Sequence, residues 1–203
     1  MLPAVKEAFQ YYMVQLEIGS GIRRDLTKRM SYNKKIEKSD KGAVEMAKGK
    51  TNAMRILDGL NIDYKVYSYE NKDGKIDGIS VADKIGVNHS QVYKTLVVQD
   101  GGKGVYVFVI PVADELDLKK AAKAVQAKKV EMSAVKDIQK LTGYIRGGCS
   151  PVGMKKNYHT ILDKSADELP TIIVSGGKIG LQIELEVQDL ISATEAVLVD
   201  VLS

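Results

Sequence analysis

Residues 95–112 constrain the fold more than any other stretch. There Thr95-Leu-Val-Val-Gln and Val105-Tyr-Val-Phe-Val-Ile-Pro-Val flank the turn Asp100-Gly-Gly-Lys-Gly. Two short β-rich runs on either side of a glycine-rich turn predict a hairpin. The second run is nearly all apolar, so it must be covered on both faces. A strand of that kind belongs inside a layered protein, not at the surface of a lone sheet.

The rest of the chain supplies the layers. Residues 51–61 read as a helix ending near Gly59, with Met54, Ile56, Leu57 and Leu60 on its apolar side. Residues 63–69 alternate as a strand, and 71–78 form a turn-rich loop. Ser80 is the expected cap of a helix over 81–86, and Ser90 of another short one before Val92. Residues 118–124 form a lysine-rich helix, and a further segment runs over 130–141. Short strands are expected at 143–145, 160–162, 171–174 and 181–185, then a short helix over 189–193 and a last strand over 196–202. Gly176-Gly-Lys-Ile-Gly180 reads as a hairpin turn. It is no phosphate loop, because Ile179 stands where a magnesium-binding Ser or Thr would follow the lysine. Strands outnumber helices without strict alternation. The expected class is α+β, with a mixed and strongly curved sheet.

Residues 1–45 read differently, as an extension of low or partial order. An amphipathic helix is expected over 3–17, where Val5, Phe9, Met13 and Leu16 share a face, and the chain then turns basic and polar. Met46-Ala-Lys-Gly-Lys-Thr-Asn resembles an ordinary protein start, so the natural product is expected to begin there. Residues 46–203 form the expected domain. Charge follows the same division: residues 1–50 carry 11 Lys+Arg against 6 Asp+Glu, and residues 51–203 carry 19 against 20. The overall basic balance therefore says little about a nucleic-acid partner, and local clusters matter more. No apolar run approaches the ~20 residues that span a bilayer, and no secretory leader is evident. The single cysteine, Cys149, excludes an intrachain disulfide and a multi-cysteine zinc site. The expectation is a cytoplasmic protein with no metal, cofactor, membrane or DNA partner.

The usual chemical apparatus is missing. His89 and His159 have no ligand-type neighbour at metal spacing, and both read as loop or surface residues. Ser150 misses the nucleophile-elbow spacing by one residue. Cys149 has no evident base and reads as a spectator. Chemistry must then rest on positioning, on electrostatics, or on groups the substrate brings. Two lysine features remain. Lys94 precedes an apolar strand, and Lys119, Lys120 and Lys123 lie on one helix, where they meet phosphates or simply face solvent.

Taken together, several segments resemble the bacterial Cys-tRNA(Pro) deacylases, relatives of the editing insertion domain of prolyl-tRNA synthetase. They are Gln91-Val-Tyr-Lys-Thr-Leu-Val97, Pro111-Val-Ala, Leu116-Asp-Leu-Lys-Lys-Ala-Ala-Lys123 and Ala127-Lys-Lys-Val-Glu-Met132. Further on come Thr142-Gly-Tyr-Ile-Arg-Gly-Gly-Cys-Ser-Pro-Val-Gly153, Val174-Ser-Gly-Gly-Lys178 and Ile183-Glu-Leu185. The match is collinear over roughly residues 48–203.

This resemblance implies a curved, barrel-like mixed β-sheet surrounded by helices. It also implies removal of a misattached amino acid from the tRNA 3′ end. No protein nucleophile is needed, because the substrate's own cysteine thiol attacks its ester carbonyl and leaves as a thiolactone. By position, Lys94 corresponds to the family's essential lysine, with Gly147 and Gly148 bringing backbone close to the aminoacyl group. Tyr69 matches a pocket tyrosine, Ser150 and Pro151 fix the loop, and Gln182 stands where many members have aspartate. The implied partners are aminoacyl-tRNA, contacted by Lys119, Lys120 and Lys123, and prolyl-tRNA synthetase. The leading expectation is trans-editing of Cys-tRNA(Pro), extending to Cys-tRNA(Cys). Its rivals are deacylation of another mischarged tRNA, such as Ala-tRNA(Pro), by water attack, and a non-catalytic tRNA- or synthetase-binding module.

Overall fold

The computed structural model describes residues 49–203. The helix expected over 3–17 and the extension expected over 1–45 lie outside them. Helix α1 (Asn52–Gly59) starts at Thr51, whose hydroxyl accepts from the Met54 amide at 3.3 Å. It buries Ala53, Met54 and Leu57. Strand β1 (Lys65–Ser68) follows, then α2 (Gly78–Ile85). The cap of α2 is Asp77, not Ser80: its carboxylate accepts from the Ser80 amide at 3.0 Å. A one-turn 3-10 helix (His89–Gln91), capped by Asn88 instead of Ser90, leads into the hairpin of β2 (Tyr93–Gln99) and β3 (Val105–Pro111).

Helix α3 (Leu118–Ala124), strand β4 (Glu131–Met132) and helix α4 (Val135–Thr142) come next. They are followed by β5 (His159–Asp163), a short 3-10 turn, β6 (Thr171–Ser175), β7 (Leu181–Glu186), α5 (Val187–Thr194) and β8 (Val197–Val199).

The strands form two sheets, ordered β4-β2-β3-β5-β8 and β1-β7-β6. The first is mixed, since β3–β5 and β5–β8 are parallel while β2–β3 and β2–β4 are antiparallel. The second is antiparallel throughout, and β6 and β7 are joined by the glycine turn read as a hairpin. The mixed α+β class is as expected. The ladders do not close into a barrel; a single parallel bridge, Val92 to Ile173, links the two sheets.

Strand β3 shows why an apolar run was required. Val107 and Val109 enter one core with Leu57, Leu162, Ile172, Ile183 and Leu190. Phe108 and Ile110 enter another with Val98, Ile161 and the Ala121–Ala122 face of α3. The two-residue period of a strand sends alternate side chains to opposite faces, and here both faces are filled. A third, smaller cluster of Ala82, Val92, Val112 and Ile173 packs beneath α2, beside the bridge between the sheets.

The strand expected at 143–145 is not formed. Its backbone groups are taken locally: the Thr142 hydroxyl accepts from the Tyr144 amide at 3.0 Å, and Gly143 (φ +88°) ends α4 in the left-handed region. No helix among the described residues is long and apolar enough to cross a membrane.

Candidate active site

A pocket of about 160 Å³ opens where the two sheets meet. Val92, Tyr93, Lys94 and Thr95, at the entry to β2, form one wall. Ser175 and Gln182, cross-strand neighbours at the ends of β6 and β7, form the wall contributed by the other sheet. Ile76, Gly78 and Val81 come from the loop and first turns of α2, Val112 from just after β3, and Gly147 and Cys149 from the loop after α4.

Lys94 is held lightly. Its Nζ donates to the Val112 carbonyl at 3.3 Å and lies 3.9 Å from the Glu115 carboxylate. An ammonium has three donors, so two remain for a ligand. Gln182 is only 6% exposed, and its side-chain amide has no hydrogen-bond partner among the described residues. The Thr95 hydroxyl is buried and equally without a partner. Buried polar groups are normally satisfied; the unmet Thr95 hydroxyl, beside an unpartnered Gln182 amide that reaches the cavity, marks where a polar ligand fits.

The loop after α4 is shaped by its glycines. Gly147 has φ +81°, and a Cβ there would come within 2.7 Å of the Ile76 side chain. At Gly148 a Cβ would meet backbone instead, 2.9 Å from the Ile179 nitrogen and 3.0 Å from the Lys178 carbonyl carbon. Only glycine lets this loop lie flat against the β6–β7 turn. The far side of the loop is pinned by buried hydrogen bonds. The Tyr144 hydroxyl donates to the Val152 carbonyl at 2.8 Å, and Ser150 Oγ accepts from the Val152 amide at 3.2 Å. Asn52 of α1 donates to the Gly153 carbonyl at 2.8 Å.

The Cys149 thiol faces this pocket in neutral form, because burial pushes its pKa up to about 11. No Asp, Glu or His lines the pocket. The described residues hold no group of three or more His, Cys, Asp or Glu placed to bind a metal.

Of the residues singled out in the sequence, Lys94, Gly147 and Gln182 are brought together at the pocket. Gly148 lies between the pocket-lining Gly147 and Cys149, packed against the β6–β7 turn. Ser150 and Pro151 are buried inside their own loop and do not line the cavity. Tyr69 also lies off the wall. Its amide donates to the Gly180 carbonyl at 3.0 Å, its ring carries the Lys84 ammonium at 5.7 Å, and its buried hydroxyl has no partner. On α3, Lys119 and Lys123 are exposed. Lys120 is tied down: it pairs with Asp200 at 3.0 Å and donates to the Leu202 carbonyl at 2.7 Å. Thr95, Ser175 and Val112 are pocket residues that sequence reasoning did not single out. Thr95 follows the suspect Lys94 directly, which was the one available signal.

A family model described as the aminoacyl-tRNA editing domain matches residues 78–193. A protein of Enterococcus faecalis (strain ATCC 700802 / V583), EbsC, is described as a candidate Cys-tRNA(Pro)/Cys-tRNA(Cys) deacylase. It is 47% identical over 145 residues, which are 71% of this chain and 88% of that protein. The solved structure of a candidate trans-editing enzyme for prolyl tRNA synthetase superposes with a TM-score of 0.65 at 24% identity, covering 76% of this chain and 99% of that one. A hypothetical protein gives 0.69 at 24% identity, covering 75% and 100%. At that identity the two structures speak for the fold alone.

Proposed function

This chain belongs to the aminoacyl-tRNA editing family, and on that basis we propose that it is a trans-editing deacylase acting on Cys-tRNA(Pro) and Cys-tRNA(Cys). The observation that carries the proposal is the composition of the pocket. It offers one lightly held ammonium, one unpartnered amide and a close-lying glycine backbone, with no carboxylate or imidazole to serve as a base. Such a site orients and polarises an ester, and it holds no base to activate its one thiol, the neutral Cys149. The relative from Enterococcus faecalis, whose described substrates carry cysteine, supports a reaction in which the substrate brings its own.

In that reaction the cysteinyl thiol attacks the ester carbonyl. A carbon–sulfur bond forms, the bond from the carbonyl carbon to the ribose oxygen breaks, and the thiol proton passes to the departing ribose oxygen. The products are a thiolactone and free tRNA. Lys94 holds the ester or terminal phosphate region by charge, and Gln182 accepts a hydrogen bond from the α-amino group. Gly147 and Gly148 let the backbone approach the acyl group, while Tyr69, Ser150 and Pro151 support the pocket from behind. The small cavity, well below the ~300–1,000 Å³ of sites for larger ligands, suits a small side chain.

On the same basis the reaction runs in the cytoplasm with prolyl-tRNA synthetase as partner. Residues 46–203 are the catalytic domain and 1–45 an extension, and the two sheets joined at Val92–Ile173 act as one curved, barrel-like surface. Lys119 and Lys123 remain exposed cations for phosphate, with Lys120 bracing α3.

Incubation with Cys-tRNA(Pro) and Ala-tRNA(Pro), following loss of each ester and trapping the released acyl product, tests this. Rapid loss of cysteine alone, as a thiolactone, is expected. Loss of alanine as well would require attack by water. No loss of either, with tRNA still bound, would make the protein a binding module.

A further inference from the structure

Two of the loops that close the pocket carry cations and no carboxylate. Residues 143–158 contain Arg146, Lys155 and Lys156, residues 175–182 contain Lys178, and neither stretch holds Asp or Glu. The two loops touch. A Cβ on Gly148 would sit 3.0 Å from the Lys178 carbonyl carbon, and one on Gly147 would sit 3.5 Å from the Ile179 side chain. Arg146 therefore stands one residue from the pocket wall, and Lys178 belongs to the turn packed against that wall.

Their charges are uncompensated. Arg146 and Lys178 are exposed, and neither has a hydrogen-bond or ion-pair partner among the described residues. Lys155 differs, because its stem covers Gly143 and its Nζ donates to the Gln139 carbonyl at 3.4 Å. The loop on another side of the pocket differs too. There Lys72 pairs with Glu70 at 3.0 Å and Lys84 with Asp73 at 2.6 Å, while the exposed Lys75 has the Asp77 carboxylate, at the cap of α2, as its charged neighbour. Free positive charge thus gathers where the 143–158 and 175–182 loops meet. In a region of the chain that is nearly neutral overall, such a local excess sets where a polyanion settles.

We propose that Arg146 and Lys178 form a phosphate-binding rim that holds the single-stranded 3′ end of the tRNA across the mouth of the pocket. This rests on the deacylase function proposed above and adds where the nucleic acid lies. Arginine suits the task, since its planar fork grips a phosphate through two parallel hydrogen bonds. The rim recognises backbone and not base sequence, so it serves any tRNA with the right acyl group and leaves discrimination among tRNAs to other contacts.

The test compares two substrates of the full-length protein, Cys-tRNA(Pro) and cysteinyl-adenosine, which carries the same ester without phosphates. The Arg146→Gln/Lys178→Gln double variant is set beside a Lys103→Gln control. Lys103 is exposed in the β2–β3 turn, beyond the far end of β2, roughly 17 Å from Lys94 at ~3.3 Å per residue. The double variant is expected to raise KM for Cys-tRNA(Pro) roughly tenfold and to leave KM for cysteinyl-adenosine unchanged. Its dependence of log KM on log salt is expected to be shallower by about 1.4, two single-strand phosphate contacts at ~0.7 each.

Equal KM changes on both substrates would overturn the proposal, because the residues would then be shaping the pocket. Unchanged KM on tRNA would overturn it too. If wild type cleaves neither substrate, the deacylase function is what fails. Binding of uncharged tRNA against salt then decides the rim by itself, with loss of slope in the double variant supporting it and an unaltered slope refuting it.

Discussion

Replacing Lys94 by Met removes the ammonium and keeps most of the apolar stem, which separates what the charge does for folding from what it does for the reaction. Its folding contribution is small on the observed contacts. The bond to Val112 is long at 3.3 Å, and the carboxylate 3.9 Å away belongs to a Glu115 side chain that is 87% exposed. A charged hydrogen bond at the weak end of its range, plus an ion pair open to solvent worth ~0–1 kcal/mol, offset by relief of a half-buried charge, leaves a net of about 1 kcal/mol. For a protein of this size that is a fall in Tm of about 2–4 °C. The loss in reaction is larger, because a donor aimed at developing charge is worth about 10²–10³ in kcat. We therefore predict that Lys94→Met loses at least a hundredfold in kcat/KM on Cys-tRNA(Pro) while melting within about 4 °C of wild type. The assay is ester loss under single-turnover conditions, paired with calorimetry on the same sample. A variant that keeps activity within fivefold refutes the assigned role. One that melts 10 °C lower shows that Lys94 is a structural residue whose effect on activity is indirect.

Gly148→Ala must push back the backbone of the neighbouring turn, which lies 2.9–3.1 Å from the new methyl. It should cost about 1–3 kcal/mol of stability and more than tenfold in kcat/KM, measured by denaturant titration and deacylation; a neutral effect on both would mean the loops are not in contact. Cys149 is the only thiol, and its raised pKa of about 11 means that the reactive thiolate grows tenfold per pH unit from pH 7 to 10. Iodoacetamide labelling followed by mass should climb with that slope, and a plateau below pH 9 would contradict it. Cys149→Ala should retain deacylation within about tenfold, ~1.4 kcal/mol in barrier. Asp77, whose carboxyl is held below its ordinary range mainly by the Ser80 amide, gives stability that is present above the unfolded pKa near ~3.9 and lost as pH falls through the lower folded value. The advantage of wild type over Asp77→Asn in urea melts should thus shrink below pH 4, and an advantage that grows there would reverse the sign.

The fold was legible where local chemistry decides it. The all-apolar run of β3, the Asp100 and Gly176 turns, and the lysine-rich α3 all announce themselves within a few residues. Caps were less secure. Asp77 and Ser80 are both good cap residues three positions apart, and only the carboxylate's bond to the Ser80 amide tells which one serves. Residues 143–145 carry a strand-like Tyr and Ile, yet Thr142 captures the backbone donor and Tyr144 turns inward to Val152. No sequence pattern reveals that competition. The site was legible residue by residue but not as an assembly. Lys94 and Gln182 are far apart in the chain and lie in different sheets, so their meeting is a product of topology. That Ser150 serves its own loop, and that Lys120 braces α3 against Asp200, likewise depends on how the chain folds around them.

The pairing of β1 with β7 carries a consequence for biosynthesis. Among the described residues, strand β1 has no ladder partner except residues 181–184, and α1 is tied to Gly153 across 101 positions. A growing chain therefore exposes its early elements, without the strand that completes them, until residues 181–184 have been made. Such distant pairings slow folding, because a long loop must close before any contact rewards it. Gln182 sits in that late strand. On the ribosome the pocket comes into being only once residue 182 has emerged, so chains that stop short of it hold Lys94 without its opposite wall.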